Sequence, residues 1–327
     1  MTLDSYKFLA LSVVATLIIL VSSCTNPKPS STHTSGLMTI VCDETFENIL
    51  SQEIDVFEFT YRDASVIPVY VSQKAAIDSL LEFKTRMIIT SNELSKEQKD
   101  YILSKKRGGL RSQRVAVDAI ALIVNPKNPI DELSMSELEE IMTGKVTKWN
   151  ELSPSKMGDI KIVFDNQGSS TVQYMRDSIM NGQPFPENVF AQNSNREVFE
   201  AVQKLRGAVG IIGVSWISTD LKTKTQSLEE RVAGLSVNDT TTIEFNQDIK
   251  VLKLRRDDMI NSYGPYQAYI YDGSYPLYRS IYATSSAPVG TITHGFYAFI
   301  TGYIGQKIIQ RTGVLPAVVQ PRMVNLN

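Results

Sequence analysis

From residue 37 to about residue 215 the chain alternates two patterns. Short apolar runs rich in β-branched residues are followed by longer stretches whose apolar positions recur every three or four residues. The first pattern suits buried strands and the second amphipathic helices. Strands are expected over 37–41, 65–70 (SVIPVY), 86–90 (RMIIT), 116–124, 159–164 (DIKIVF) and 207–214 (GAVGIIGV), with shorter ones at 242–245 and 249–254. Helices are expected over 46–61, where Phe46, Ile49, Leu50, Ile54 and Phe57 share a face, and over 74–82, 134–142, 171–180 and 194–205. Two more are expected to begin near Ser95 and Phe296. Ser95 with Gln98, Ser134 with Glu137 and Ser194 with Glu197 have capping-box spacing, in which each side chain closes the other residue's backbone N–H. Regular strand–helix alternation builds an α/β fold with a mostly parallel sheet and helices on both faces.

The N-terminus follows a different pattern. Lys7 precedes an apolar run, Phe8 to Val21, which meets Ser22-Ser23-Cys24. Residues 1–23 read as a secretory signal, and Cys24, placed as in a bacterial lipoprotein box, as a lipidation site. An ordinary signal peptide or a single membrane anchor is the competing reading, although the run is short for a spanning helix. Residues 24–36, ending in TNPKPSSTHTSG, are poor in apolar side chains and rich in Ser, Thr and Pro, and are expected to form a flexible tether.

The chain has 327 residues, enough for two domains of ordinary size. A net charge of -2 leaves no electrostatic footprint for nucleic acid. Only two Cys are present, so disulfide stapling is not expected, and Cys42 reads as a small core residue. The two His, His33 and His294, lie far apart in the chain, and no HExxH or CxxC spacing occurs. No metal, other cofactor or catalytic residue is therefore expected. An envelope hydrolase remains the competing class, but it would need a base or a metal.

Val117–Leu152 reads VDAIALIVNPKNPIDELSMSELEEIMTGKVTKWNEL. Asp118-Ala119-Ile120-Ala121 through Asn125-Pro126, then Met142-Thr143-Gly144-Lys145 through Trp149-Asn150, resemble the "DGIAVIVNP" and "FTGKITNWNEL" segments of phosphate-binding proteins of bacterial ABC transporters. Gly207–Val214 is similar to their "PGAIGYVG". Tyr269–Tyr282 is similar to "G-x-YPL-x-R-x-x-Y", and Gly313-Val314-Leu315-Pro316 ends in the same manner. The resemblance runs from about Leu37 to Pro316. It implies a two-domain periplasmic binding protein (type II) fold, with two mostly parallel sheets flanked by helices and two hinge crossings. Domain 1 would comprise 37–121 and 276–327, and domain 2 would comprise 122–275. It also implies a monomer of the cell envelope, held at the membrane through Cys24, that binds inorganic phosphate or a related oxyanion between its domains. The partner would be an ABC permease, and no bond would be made or broken.

The candidate site follows from the loop Asp165-Asn166-Gln167-Gly168-Ser169-Ser170-Thr171, which joins a strand to a helix. Backbone N–H groups, hydroxyls and the positive end of a helix dipole suit an oxyanion. Simple N-capping is the alternative. Gly168-Ser169-Ser170-Thr171 aligns with the Gly-Ser-Gly-Thr of the resembled family, which implies ligand contacts at Asn166, Gln167, Ser169, Ser170 and Thr171. Thr45, Ser72 and Ser91 follow other strands and join the expected set. Two departures bear on the ligand: Asp165 stands where the family carries Arg, and Gln167 where it carries Asp. Lys74, Arg111, Arg114 and Arg196 are candidate replacements for the missing cation. Asp43 and Glu44 add negative charge at the first helix, which leaves open a neutral or cationic solute, or a sensor without a transporter. Trp149 and Trp216 read as packing residues.

Overall fold

Residues 31–105, 109–218, 227–235 and 244–318 are described by the computed structural model. The signal segment and Cys24 lie outside them. The first half begins with β1 (Gly36–Asp43), a one-turn 3₁₀ helix (Glu44–Phe46) and α1 (Glu47–Thr60). It continues through β2 (Ala64–Val71), α2 (Gln73–Leu81), β3 (Met87–Thr90) and α3 (Lys96–Ser104). Next come β4 (Arg111–Val124), β5 (Glu132–Ser134), α4 (Met135–Met142), β6 (Lys161–Phe164), α5 (Ser170–Ser178) and β7 (Val189–Ala191). The second half is completed by α6 (Asn195–Lys204), β8 (Ala208–Gly213), α7 (Leu228–Gly234), β9 (Lys250–Val251), β10 (Lys253–Arg255) and α8 (Gln267–Tyr271). The chain then returns through β11 (Tyr278–Ser285), α9 (Ile292–Thr301), α10 (Tyr303–Arg311) and β12 (Leu315–Pro316).

The sheet runs β2-β1-β3-β11-β4-β8-β6-β7, with β12 and β9 also paired to β4. Within each half the outer pairs are parallel: β1 with β2 and β3, and β6 with β7 and β8. At the centre the pairing is antiparallel, because β4 meets β11 along its first part and β8 along its last. The switch falls between Ala119, opposite Tyr278, and Ile120, opposite Gly213. Past its first four residues this shared strand is covered on both faces, and Val115 to Val124 form ten consecutive buried residues. An uninterrupted run of this kind marks a strand covered on both faces. The two chain crossings are bonded to each other: Ile120 N–H donates to Leu277 O at 2.9 Å, and the Tyr275 hydroxyl donates to Ile120 O at 2.7 Å.

Local signals explain the helix ends. Full capping boxes open α3 (Ser95, Gln98) and α4 (Ser134, Glu137). At α6 the Ser194 hydroxyl accepts from Glu197 N–H, but the Glu197 carboxylate turns to Asn193 N–H instead. The helical stretch expected from near Phe296 starts at Ile292 and is two helices, because Gly302 is extended between α9 and α10. A Cβ there would lie 2.8 Å from Ala298 O, so only glycine allows this corner. Trp149 is fully buried and donates its indole N–H to Gly207 O at 3.0 Å. Cys42 is a buried free thiol.

Two expectations need correction. The strand expected from residue 116 begins at Arg111, so Arg111 and Arg114 lie within the sheet. The tether expected over 24–36 is docked from Ser31 onward: Ser31 Oγ accepts from Ile292 N–H, and His33 Nε2 accepts from Gly290 N–H, both at 3.0 Å. A Cβ on Gly295 would overlap the His33 carbonyl, so Gly295 forms the notch that lets this segment lie against α9. The two His, distant in sequence, consequently face each other with ring centroids 5.1 Å apart.

Candidate functional site

β1 and β6 are each followed by a helical segment, and the turns after them meet at the junction of the two halves. After β1, Asp43 turns its carboxylate back to accept from Thr45 N–H at 3.1 Å, which starts the 3₁₀ turn. After β6, Ser169 caps α5 by accepting from Val172 N–H at 3.1 Å. The two turns meet. The Ser170 hydroxyl donates to Thr45 Oγ1 at 3.3 Å, and the Asn166 amide donates to a Glu44 carboxylate oxygen. Trp216, in the 3₁₀ turn Val214–Trp216 after β8, donates its indole N–H to Thr45 O at 2.9 Å. The Asn48 amide donates to Ser215 O at 2.5 Å. Thr45, Ser170 and Thr171 are all buried at this junction.

The cation is Arg279. Antiparallel β11–β4 pairing sets Arg279 opposite Asp118, and its Nε and Nη2 both donate to Asp118 Oδ2, at 3.3 and 3.1 Å. Nη1 donates to Ser170 Oγ at 2.9 Å, and the guanidinium lies over the Phe46 ring at 4.8 Å. Both partners are almost fully buried. Such a pair is retained only when its hydrogen bonds are good, because desolvation opposes it. Burial raises the Asp118 pKa against the opposing pull of Arg279, and it raises Glu44 with help from Asp43 and Glu47. Gly213 allows the close approach: a Cβ there would lie 2.8 Å from Asp118 Oδ2.

Three buried polar atoms at this junction have no hydrogen-bond partner: Asp43 Oδ2, Asp118 Oδ1 and Thr171 Oγ1. Buried polar groups are nearly always paired, so an unpaired group needs an explanation. A small polar guest with an acceptor oxygen and two O–H groups would answer all three.

The residues expected from sequence sort as follows. Thr45, Asn166, Ser169, Ser170 and Thr171 come together at the junction. Ser72 caps α2 by accepting from Ala75 N–H, and it lies against Gly168, where an added Cβ would sit 3.4 Å from the Ser72 Cβ. The Ser91 N–H and hydroxyl both donate to Gln73 Oε1 beside that cap, so the hydroxyl is engaged. Gln167 is exposed at the loop tip. None of the four cations suggested from sequence reaches the site. Lys74 pairs with Asp78, Arg111 bonds Ala287 O, and Arg114 and Arg196 are exposed. Asp165 turns inward to Ser169 and Asn195. Arg279 and Asp118 were missed, although both lie in segments that carry the family resemblance. A lone Arg in the returning strand, opposite a lone Asp in an apolar one, was the available signal.

The chain belongs to the PBP superfamily, whose domain model matches residues 27–302. It is similar to the phosphate-binding protein PstS of Pseudomonas aeruginosa, at 20% identity over 86% of this chain and 83% of that one. It is also similar to PstS of Borreliella burgdorferi, at 24% identity over 73% of this chain and 75% of the relative. Among solved structures, a phosphate ABC transporter substrate-binding protein of Clostridium perfringens, determined with bound phosphate, superimposes with a TM-score of 0.67. That likeness covers 86% of this chain and all of the other, at 20% identity. At such identity it establishes the shared two-domain fold.

Proposed function

We propose that this protein is an extracytoplasmic solute-binding protein that holds inorganic phosphate, or a closely related oxyanion, between its two halves and hands it to an ABC permease. The observation that carries the reading is the Arg279–Ser170–Thr45 chain, with the idle Thr171 hydroxyl beside it at the start of α5. A guanidinium, hydroxyls and helix N–H groups are the donors an oxyanion requires. Asp43 and Asp118 each keep one oxygen without a donor, and the O–H of a protonated phosphate is such a donor. Binding would draw the halves together about the paired crossings at Ile120 and Leu277, with 37–121 and 276–327 moving against 122–275. Anchoring through an acylated Cys24 would keep the protein near its permease, as a monomer. Nothing in this scheme needs a reaction.

Calorimetric titration with phosphate, sulfate and molybdate tests the reading. Tight binding of phosphate with weak binding of the fully ionised anions is the expected result. Absence of heat with every anion would overturn it and favour a neutral or cationic solute, consistent with the four carboxylates around one guanidinium. Mass spectrometry of the mature N-terminus tests the acylation at Cys24.

A further inference from the structure

Asp165 follows β6 directly and is 1% exposed. Its Oδ1 accepts from Ser169 Oγ at 2.5 Å, and Ser169 is the cap of α5. Its Oδ2 accepts from Asn195 Nδ2 at 3.4 Å, and Asn195 is the first residue of α6. One carboxyl group thus ties together the starts of two helices. Among the described residues no cation lies within ion-pair distance of it. The charged groups that face it are Arg279 from β11, which favours the ionised form, and Asp43 and Glu44 after β1, which oppose it. Burial is the largest influence, and it pushes the pKa up to about 7.

The partner amide suits either protonation state. With Nδ2 toward Asp165, Asn195 donates to a carboxylate. Turned over, its Oδ1 accepts from a carboxylic acid in place of the Nδ2 bond, and because that Oδ1 is buried with no partner before it turns, no other bond is lost. An anion held at Ser170 and Thr171 would add negative charge close to Asp165, where little water screens it, and would favour the neutral acid. Resting on the oxyanion reading of the cleft, we propose that Asp165 is a positioning residue that takes up a proton as the anion enters. The proton comes from bulk buffer and settles on Oδ2, facing the turned amide. The carboxylate becomes a carboxylic acid, and no bond to the anion forms. Both helix starts stay tied throughout.

The full chain, purified in mild detergent, is titrated with inorganic phosphate in two buffers of different ionisation heat, and the difference in heat counts the protons taken up. Phosphate itself titrates in the same range, so Asp165→Asn is the reference. The wild type should take up more protons than the variant. Its affinity should also fall more steeply between about pH 7 and pH 9, by up to about tenfold per pH unit relative to the variant. Equal proton counts in two proteins that both bind phosphate would overturn the inference alone. No heat in either protein at about pH 6, where Asp165 is mostly neutral, would remove the oxyanion reading and the inference with it. A carboxyl-carbon NMR titration of the wild type needs no variant: the Asp165 midpoint should move up when phosphate is added, and an unmoved midpoint overturns the proposal.

Discussion

Glu53 offers a sharp test of how burial controls ionisation in this fold. It lies on the inward face of α1, 1% exposed, and neither carboxyl oxygen has a hydrogen-bond partner. The side chain lines a cavity of about 20 Å³ among Phe46, Ile49, Leu50, Ile281, Ile300 and Ile309. Burial alone raises its pKa well above the ordinary value of 4.5. The folded chain therefore keeps this proton at a pH where the unfolded chain has already lost it. The stability contribution is complete below about pH 4.5 and is lost as pH rises toward the folded-state pKa. The slope is about 1.4 kcal/mol per pH unit for one proton. Glu53→Gln keeps the shape and removes the titration. Urea unfolding of both proteins at successive pH values should show the variant gaining on the wild type by about that slope above pH 5. All other groups are common to the two proteins, so their titrations cancel. A difference between them that stays constant with pH would refute the reasoning. Glu53→Met also removes the unpaired polar group, and it should be more stable than wild type by roughly 1–3 kcal/mol below about pH 4.5 and by more as pH rises.

Arg279→Met should cost about 3–5 kcal/mol in urea unfolding, because it leaves Asp118 buried and uncompensated, and adding Asp118→Asn should recover most of the loss. Thr171→Val should change stability by less than about 1 kcal/mol, since the hydroxyl has no partner to lose, yet weaken phosphate binding by about tenfold or more in calorimetry. Gly295→Ala should detach Ser31–Gly36, seen as faster amide exchange at Gly290 and Ile292 with the core unchanged. Acidification should have the same effect, because His294, whose pKa burial and Arg111 hold low, resists charging in the docked state. That part of the stability is present above the imidazole range and lost as pH falls through it.

Much of the scaffold was legible because its signals are local. The apolar runs located β1, β2, β3, β6 and β8 to within a few residues, and three serines marked helix starts. The glycine-serine loop at 168–171 was found for the same reason: strand, hydroxyls and helix follow one another in sequence. Arg279 and Asp118 were not found, because strand register, not spacing, brings residues 161 positions apart into contact. Asp165 shows the limit most clearly. Sequence placed a negative charge where the resembled loop carries a positive one, and only burial reveals that the group turns inward and need not be charged. The docked Ser31–Gly36 segment escaped for a related reason. Its composition reads as a tether, and the notch that receives it lies at Gly295, near the other end of the chain.

The Trp216 bond has a practical consequence. One indole, Trp149, is sealed in the core, and the other spans the gap between the two halves to reach Thr45. The molecule thus carries a built-in optical gauge, a constant emitter beside one whose surroundings change whenever the halves shift. Occupancy can be followed by intrinsic fluorescence on the unmodified protein, without any attached dye.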